Sequence, residues 1–334
     1  MLPNNIKTVI KHMHKLRRPV FLRGSPGIGK SAIMQQATNE LGIQLIDMRL
    51  SKYDPTDLKG FPDPDRKAKR TNWLPLGTLP YDQDSEGILF LDELTSAPLA
   101  VQAVAYQLVF DFAIGEYKLP PKWSVMAAGN KETDRAVVHR MSTALISRFV
   151  MIDVETNVEA FAHHNVPHGL KPMVLAYLNF QQTSLNTFDP ATPAQSYACS
   201  RTWMFANDTI IDSELPTHIQ RELLVGTIGE GTTTSFLNFC NLANDLPRME
   251  DILAKPKTTR LPTNVSAKFA VTTSLALSAN LKTFSAMMQY ITRLDKEMQC
   301  LFIRDAARRD PALAETKEFT AWLIENESLI IKTE

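Results

Sequence analysis

The chain has 334 residues, 44% of them hydrophobic and 22% charged, the composition of a globular protein able to build a large core. Its 36 basic and 36 acidic residues cancel, which argues against a whole-protein electrostatic attraction to nucleic acid or to an anionic membrane. The three cysteines, Cys199, Cys240 and Cys300, form no C-x-x-C pair, so we expect free thiols and a cytoplasmic location. The sequence shows no signal-peptide core and no apolar run near the ~20 residues of a membrane span.

The first predicted elements surround a glycine-rich segment. Residues 4 to 17 carry apolar residues at helical spacing and predict an amphipathic helix. Residues 19 to 23 predict a short buried strand, and residues 31 to 41 predict a helix with one apolar face. The segment between this strand and this helix fits the pattern G-x-x-x-x-G-K-[ST] at every fixed position.

This segment predicts a site for nucleotide phosphates. Its glycines let backbone N–H groups close around phosphate oxygens, and the N-terminus of the following helix adds a partial positive charge. Lys30 would place a full charge near the β- and γ-phosphates, and the hydroxyl of Ser31 would bind Mg²⁺. The predicted nucleotide-binding residues are Gly24, Ser25, Pro26, Gly27, Ile28, Gly29, Lys30 and Ser31.

Residues 43 to 50 predict the next strand, and residues 51 to 86 predict an insertion rich in proline and glycine. In the insertion we expect a short helix near residues 56 to 59, followed by a hairpin with residues 65 to 70 at its tip. Four of the last five residues of that tip are basic. We interpret the tip as a solvated loop; the alternative is a patch that grips a partner or a polyanion.

A second set of chemical groups follows a buried strand. Residues 87 to 91 are apolar and predict a strand buried on both faces, as in a parallel sheet. Asp92 and Glu93 come directly after it, at the end of the strand where α/β sheets bind ligands. Asp92 would hold Mg²⁺ through water, and Glu93 would act as the general base toward an attacking water.

A third strand brings an amide to the same end of the sheet. Residues 98 to 109 predict a helix, and residues 110 to 119 predict a small hairpin around a glycine. Residues 123 to 128 predict a buried strand that ends at Gly129 and Asn130. We expect the side chain of Asn130 to orient the attacking water; the alternative is an ordinary Gly-Asn turn.

The remaining elements divide the chain. Residues 136 to 147 predict a helix, and Arg148 follows directly before a strand over residues 149 to 154. Beyond this strand the patterns are helical, interrupted by loops over residues 181 to 200 and 255 to 266. The predicted domains are an α/β nucleotide-binding domain (1–154), a helical lid (155–245) and a C-terminal helical extension (246–334).

The ordered set of motifs resembles the AAA+ ATPases, and most closely their MoxR/RavA branch with its helix-2 insert. The matching segments are Gly24–Ser31 (Walker A), Ile88–Glu93 (Walker B), Ala128–Asn130 (sensor 1), Ser147–Phe149 (arginine-finger region), and Asp57–Gly60 with the two hairpins. The resemblance implies a P-loop NTPase fold, with a parallel five-stranded sheet, helices on both of its faces and an all-α lid. It also implies ATP and Mg²⁺ as ligands and a homo-oligomeric ring, for which we expect a hexamer.

The resemblance assigns roles to two arginines. Arg201, in Cys199-Ser200-Arg201, stands where the family has its sensor 2 arginine on the γ-phosphate, although Ser200 replaces the family's proline. Arg148 is the first candidate for the arginine that acts on a neighbouring subunit's site. Arg140 is the second candidate for that role.

The function implied by the resemblance is ATP-driven remodelling or assembly of a protein partner, with a von Willebrand A-type domain as a candidate partner. Alternatives are a nucleic-acid-linked motor similar to McrB, a ring scaffold in which ATP serves assembly only, and a monomeric P-loop kinase. His163, His164 and His168 lie close in sequence without further ligands at metal-binding spacing, so we interpret them as a surface loop of the lid.

Overall fold

The computed structural model describes residues 1–326 except 68, 135–138, 140, 193–194, 210, 212–213 and 244–245. The chain divides into two compact units. One consists of Met1–Thr156 and Phe188–Pro193, the other of Asn157–Thr187 and Ala194–Glu334.

The first unit alternates strands and helices. Its helices are α1 (Pro3–Lys15), α2 (Lys30–Leu41), α3 (Pro55–Lys59), α4 (Leu99–Asp111) and α5 (Thr143–Ile146). Its strands are β1 (Val20–Arg23), β2 (Gln44–Arg49), β3 (Phe61–Asp65), β4 (Arg70–Leu74), β5 (Gly87–Asp92), β6 (Ala113–Ile114), β7 (Tyr117–Lys118), β8 (Trp123–Gly129) and β9 (Val150–Asp153).

Five of these strands form a parallel sheet in the order β2-β5-β8-β1-β9. Every residue of β5 and of β8 is buried, which explains why both read as nearly continuous apolar runs in the sequence. The prediction of a five-stranded parallel sheet is confirmed.

Helices cover both faces of this sheet because side chains alternate along each strand. On one face, Ile88 and Phe90 of β5 pack in a cluster with buried residues of α1 and α2. On the other face, Leu89 and Leu91 pack in a cluster with buried residues of α4. The hydrophobic core of this unit therefore has two layers, one on each side of the sheet.

Two hairpins lie outside the sheet. Strands β3 and β4 pair antiparallel, from Phe61 opposite Leu74 to Asp65 opposite Arg70, so the predicted hairpin with its basic tip is present. The second hairpin, β6–β7, is shorter than predicted, because α4 continues through Asp111 and ends at Phe112 with a φ of 52°. That leaves two residues in each strand.

The predicted helix over residues 136 to 147 is wrong in extent. Of this stretch, 136–138 and 140 lie outside the described residues, and His139, Met141 and Ser142 are not helical. The helix α5 begins only at Thr143, because Ser142 is extended and its side chain accepts a hydrogen bond from the backbone N–H of Leu145 at 3.2 Å. This local contact caps a helix of one turn and stops it from continuing backwards.

The described residues of the second unit form helices and loops and contain no strand. Its helices are α6 (Val158–Asn165), α7 (Pro172–Phe180), α8 (Ser200–Thr209), α9 (Thr217–Ile228), α10 (Glu230–Ala243), α11 (Met249–Ala254), α12 (Val265–Ser278), α13 (Phe284–Ile291), α14 (Lys296–Arg309) and α15 (Lys317–Glu325). One hydrophobic cluster runs through them from Val158 to Trp322. Helices on both sides of residue 245 contribute to this cluster, and the predicted division there remains a prediction.

Within the parts of the chain given above, no helix combines the length and the apolar character needed to cross a bilayer.

Candidate functional site

The candidate site lies where three neighbouring strands of the sheet end. Strand β1 ends at Arg23, β5 at Asp92 and β8 at Gly129, and β8 lies between the other two. Because the carboxyl ends of parallel strands meet at one edge, the segments that follow them converge there. These segments carry the glycine-rich residues 24 to 29, Glu93 and Asn130.

Two glycines give the glycine-rich segment its shape. Gly27 has a φ of 78° and Gly29 a φ of 95°, in the left-handed region that residues with a side chain rarely adopt. Gly29 is also the N-cap of α2, with no capping side chain. The first backbone N–H groups of α2 and its positive dipole end therefore face the segment without a side-chain acceptor, which suits an anion.

Lys30 links this segment to the end of β8. Its side chain is 9% exposed. The ammonium nitrogen donates to the backbone oxygens of Gly24 at 2.6 Å and Ser25 at 2.9 Å, and to the side-chain oxygen of Asn130 at 3.1 Å. Lys30 and Asn130 lie 100 residues apart in sequence and meet at the site.

Ser31 and Asp92 form the second contact between motifs. The hydroxyl of Ser31 donates to one carboxylate oxygen of Asp92 at 2.7 Å, and Asp92 is 8% exposed. The other carboxylate oxygen accepts the backbone N–H of Glu93 at 2.8 Å. A hydroxyl and a carboxylate are hard oxygen donors, which fit Mg²⁺ that takes its remaining ligands from phosphates and water.

Further carboxyl groups lie beside this pair. Glu93 has a φ of 56°, and its carboxylate accepts a hydrogen bond from the hydroxyl of Ser51. On β2, burial of the carboxyl and the negative charges of Asp92 and Glu93 raise the pKa of Asp47, while Arg49 opposes the rise. The negative potential here favours a bound cation.

Thr95 fixes the end of β8. Its hydroxyl accepts the backbone N–H of Asn130 at 3.0 Å. A methyl group on Gly129 would come within 2.4 Å of the Thr95 hydroxyl oxygen and 2.8 Å of the Phe21 ring, so only glycine permits this approach. Thr95 thereby sets the position from which Asn130 reaches Lys30.

An ion pair holds the strand that leads into the glycine-rich segment. Arg23 donates to both carboxylate oxygens of Asp153 at 2.7 and 2.9 Å, which joins the ends of β1 and β9. These hydrogen bonds raise the pKa of Arg23 and lower the pKa of Asp153. Sequence reasoning missed Ser51, Asp47, Thr95 and the Arg23–Asp153 pair, since no local pattern marks partners so distant in sequence.

Arg148 lies in the same unit as these site residues but does not contact them. Arg148 is exposed, and its guanidinium lies over the ring of Phe110, 4.2 Å from the centroid, with Phe110 stacked on Tyr106. Arg201 is the second residue of α8, in the helical unit, and is exposed. Arg140 lies outside the described residues.

The three histidines lie at the end of α6 and in the turn after it. The rings of His164 and His168 are 4.9 Å apart, and Nδ1 of His168 is 2.7 Å from the backbone oxygen of His164. In the described residues, no three His, Cys, Asp or Glu side chains are grouped so that they could hold a metal ion.

One family model matches the chain. Residues 19–149 match the AAA domain of the dynein-related subfamily. The match contains the glycine-rich segment, Asp92, Glu93, Asn130 and Arg148, and spans less than half of the chain. This match supports nucleotide binding and ATPase activity in general terms.

Two solved structures are similar over most of the chain at low identity. A RuvB variant from Thermotoga maritima is 16% identical, with a TM-score of 0.39, over 87% of this chain and 88% of that one. NtrX from Brucella abortus is 12% identical, with a TM-score of 0.36, over 92% of this chain and 62% of that one.

Proposed function

We propose that this chain, whose residues 19–149 match the AAA domain of the dynein-related subfamily, is a Mg²⁺-dependent ATPase. The observation that carries the proposal is the meeting of Lys30, Ser31, Asp92 and Asn130 at one edge of the sheet, through hydrogen bonds of 2.7 to 3.1 Å between motifs distant in sequence. A lysine, a hydroxyl, a carboxylate and an amide around a glycine-rich turn are the groups that phosphoryl transfer to water requires.

Each group has a role set by its chemistry. The backbone N–H groups of residues 24 to 31 bind the phosphates, and Lys30 supplies positive charge toward the β- and γ-phosphates. Ser31 and Asp92 would hold Mg²⁺, which would neutralise developing charge on the phosphate oxygens. Glu93 accepts a proton from the attacking water, and the amide of Asn130 orients that water. Positioning and electrostatics would supply most of the catalysis.

The two arginines complete the proposed site. Arg201 acts on the γ-phosphate from the same subunit and Arg148 from a neighbouring one, which requires a ring; we propose a hexamer. The exposure of Arg148 supports a role outside its own subunit. By resemblance to the MoxR branch, the ring acts in the cytoplasm and remodels or assembles a protein partner, for which a von Willebrand A-type domain is the candidate.

A nucleic-acid-linked motor is the second candidate function. The observation that favours it is the exposed set of Arg66, Lys67 and Lys69 at the tip of the β3–β4 hairpin. If an oligonucleotide stimulates ATP turnover, and this stimulation falls steeply with added salt, the nucleic-acid-linked motor is the function and the first proposal is wrong.

Substitution of Lys30 tests the proposal directly. Lys30→Ala should abolish ATP binding in calorimetry, because the phosphates lose their nearest full positive charge. The control is Lys15→Ala, which removes an exposed lysine from α1. Unchanged ATP affinity in Lys30→Ala would contradict the site. Tight binding by the wild-type chain with almost no turnover would instead indicate a scaffold in which ATP serves assembly.

A further inference from the structure

Positive charge is concentrated around α11 in the helical unit, although the whole chain has no net charge. Arg248 precedes α11, and Lys255, Lys257 and Arg260 follow it within six residues. Residues 255 to 260 are here called the basic turn. The sequence predicted them only as part of a loop between helices. Neither Arg248 nor Lys255 has an ion-pair partner among the residues that the structure describes.

The backbone of the basic turn is held from α13 and the residues just after it. Arg293 donates from one nitrogen to the backbone oxygens of Pro256 at 2.6 Å and Thr259 at 2.9 Å. The hydroxyl of the fully buried Tyr290 donates to the backbone oxygen of Arg260 at 3.0 Å. With three of its carbonyl groups bound in this way, the turn has a defined shape.

The turn also closes on α11. The hydroxyl of Thr259 donates to the backbone oxygens of Asp251 at 2.9 Å and Lys255 at 2.8 Å. These contacts hold the basic turn against α11, and the residues before α11, the helix itself and the turn line one concavity of about 500 Å³. The polar side chains that line it belong to Arg248, Asp251, Lys255, Thr258, Thr259 and Arg260.

The side chains that line the concavity suit an anion that also carries a hydrogen-bond donor. Three cations and one carboxylate give it a net charge of +2. Arginine and lysine bind phosphate through charge-assisted hydrogen bonds, and the hydroxyl of Thr258 adds a neutral donor. Asp251 would repel a bare polyanion but accepts a hydrogen bond from a hydroxyl or amino group of a ligand. The volume lies in the range of small-molecule sites.

We propose that this concavity binds the phosphate group of a phosphorylated small molecule, separately from the nucleotide site of the first unit. Arg248, Lys255 and Arg260 surround the phosphate, and the carboxylate of Asp251 accepts a hydrogen bond from another part of the ligand. The proposal does not depend on ATP hydrolysis, since its residues belong to the helical unit.

Binding of inorganic pyrophosphate to the full-length chain tests the proposal by calorimetry. The Lys30→Ala variant removes the contribution of the glycine-rich segment, and in it we expect one remaining pyrophosphate site. In this background, Lys255→Ala and Arg248→Ala should each weaken binding by about tenfold or more, as expected for loss of a charge-assisted hydrogen bond. Each variant is first compared with the parent by circular dichroism and thermal unfolding.

Lys257→Ala is the matched control. It removes the same charge from the same turn; Lys257 is exposed like Lys255 but does not line the concavity. We expect its affinity to stay within about twofold, because a charge outside the concavity makes no hydrogen bond to the bound phosphate and acts on it only through screening solvent. Equal losses in Lys257→Ala and Lys255→Ala would overturn the proposal, since they would indicate a diffuse basic surface.

Three further outcomes are decisive. If Lys30→Ala binds no pyrophosphate, the proposed phosphate site is overturned. It is also overturned if Lys30→Ala binds a single-stranded oligonucleotide instead of pyrophosphate. If Lys30→Ala binds pyrophosphate with the wild-type stoichiometry and Lys255→Ala removes one site, the phosphate role of Lys30 fails while this proposal stands.

Discussion

At the scale of single residues, the side chains of the candidate site hold one another in place. Ser51 donates to the carboxylate of Glu93, and Thr95 fixes the backbone of Asn130. Lys30 in turn donates to Asn130. Groups locked in this way lose little conformational freedom when a substrate binds, which favours catalysis by positioning.

Glu93→Gln tests the proposed general base. Glutamine keeps the size of the side chain and an oxygen that accepts from Ser51, and the Ser31–Asp92 pair is unchanged. We expect ATP affinity near that of the wild type and hydrolysis lower by about 10²–10⁴-fold, the usual loss when a general base is removed. Calorimetry measures the affinity and phosphate release measures the turnover. Glu116→Gln, in an exposed turn, is the control; turnover within a few-fold of wild type in Glu93→Gln would show that another group is the base.

The sequence predicted the groups of the site better than their supports. Lys30 and Ser31 belong to one local pattern, and Asp92 directly follows an apolar strand, so short-range signals were enough to propose them. Ser51 lies 42 residues from Glu93, and Thr95 lies 35 residues from Asn130. Such partners are brought together only by the strand order, which periodicity along the chain does not contain.

At the scale of elements, length and apolar character decided which predictions succeeded. The sheet strands were recognisable because central strands of a parallel sheet are buried on both faces. Helix α5 was overestimated because its apolar residues continue the pattern of a longer helix, while the Ser142 cap that shortens it is a single hydrogen bond. The edge position of β9 beside β1 depends on pairing between distant segments.

Helix α12 contains a hydroxyl whose removal should stabilise the protein. Thr272 is fully buried, and within the described residues its hydroxyl has no hydrogen-bond partner. Thr272→Val keeps the shape and removes this desolvated group, so we expect a free energy of unfolding higher by about 1 kcal/mol. Denaturant and thermal unfolding measure it, with a melting temperature about 2–4 °C higher.

In the control variant, the free energy of unfolding should change in the opposite direction. In the same unit, the hydroxyl of Thr202 accepts from the backbone N–H of Cys199 at 2.8 Å and donates to the backbone oxygen of Tyr197 at 3.1 Å. Thr202→Val breaks these hydrogen bonds and should lower the free energy of unfolding by about 1 kcal/mol. A destabilised Thr272→Val would indicate that its hydroxyl is satisfied in solution.

At the scale of the whole molecule, the two units have different kinds of core. The first builds two layers around a sheet, and the second packs its helices around one aromatic-rich cluster in which Tyr177 contacts Trp203, Phe236 and Phe239. The sequence predicted the change from α/β to all-α because strand signals end near residue 154. The packing partners of each helix in the second unit were not predictable, because helical periodicity predicts which face is buried but not which element packs against it.

Subunit mixing tests whether Arg148 acts on a neighbour. Arg148→Ala and Glu93→Gln chains should each bind ATP and hydrolyse it poorly, since such arginines are worth about 10³–10⁵ in rate in GTPase systems. In mixed rings, the intact Glu93 of one variant meets the intact Arg148 of the other, so activity should partly recover. Specific activity of the wild type should also rise with protein concentration.

Each variant alone, at the same total concentration, is the control for mixing. Rings shown to contain both variants but without recovered activity would contradict the action of Arg148 in trans. Arg140 would then be tested in the same way.

Entry of ATP into the proposed site is an exchange reaction. The nitrogen of Lys30 already lies 2.6 to 3.1 Å from three oxygen atoms, so an arriving phosphate replaces one set of acceptors by another. The present acceptors are neutral oxygens and those of the phosphate are charged, so the exchange gives stronger, charge-assisted hydrogen bonds, and this gain is what Lys30 contributes to affinity. When the product leaves, the ammonium returns to the same three oxygens. Because neither state leaves this buried charge without acceptors, departure of the nucleotide carries no penalty for an unpaired ammonium.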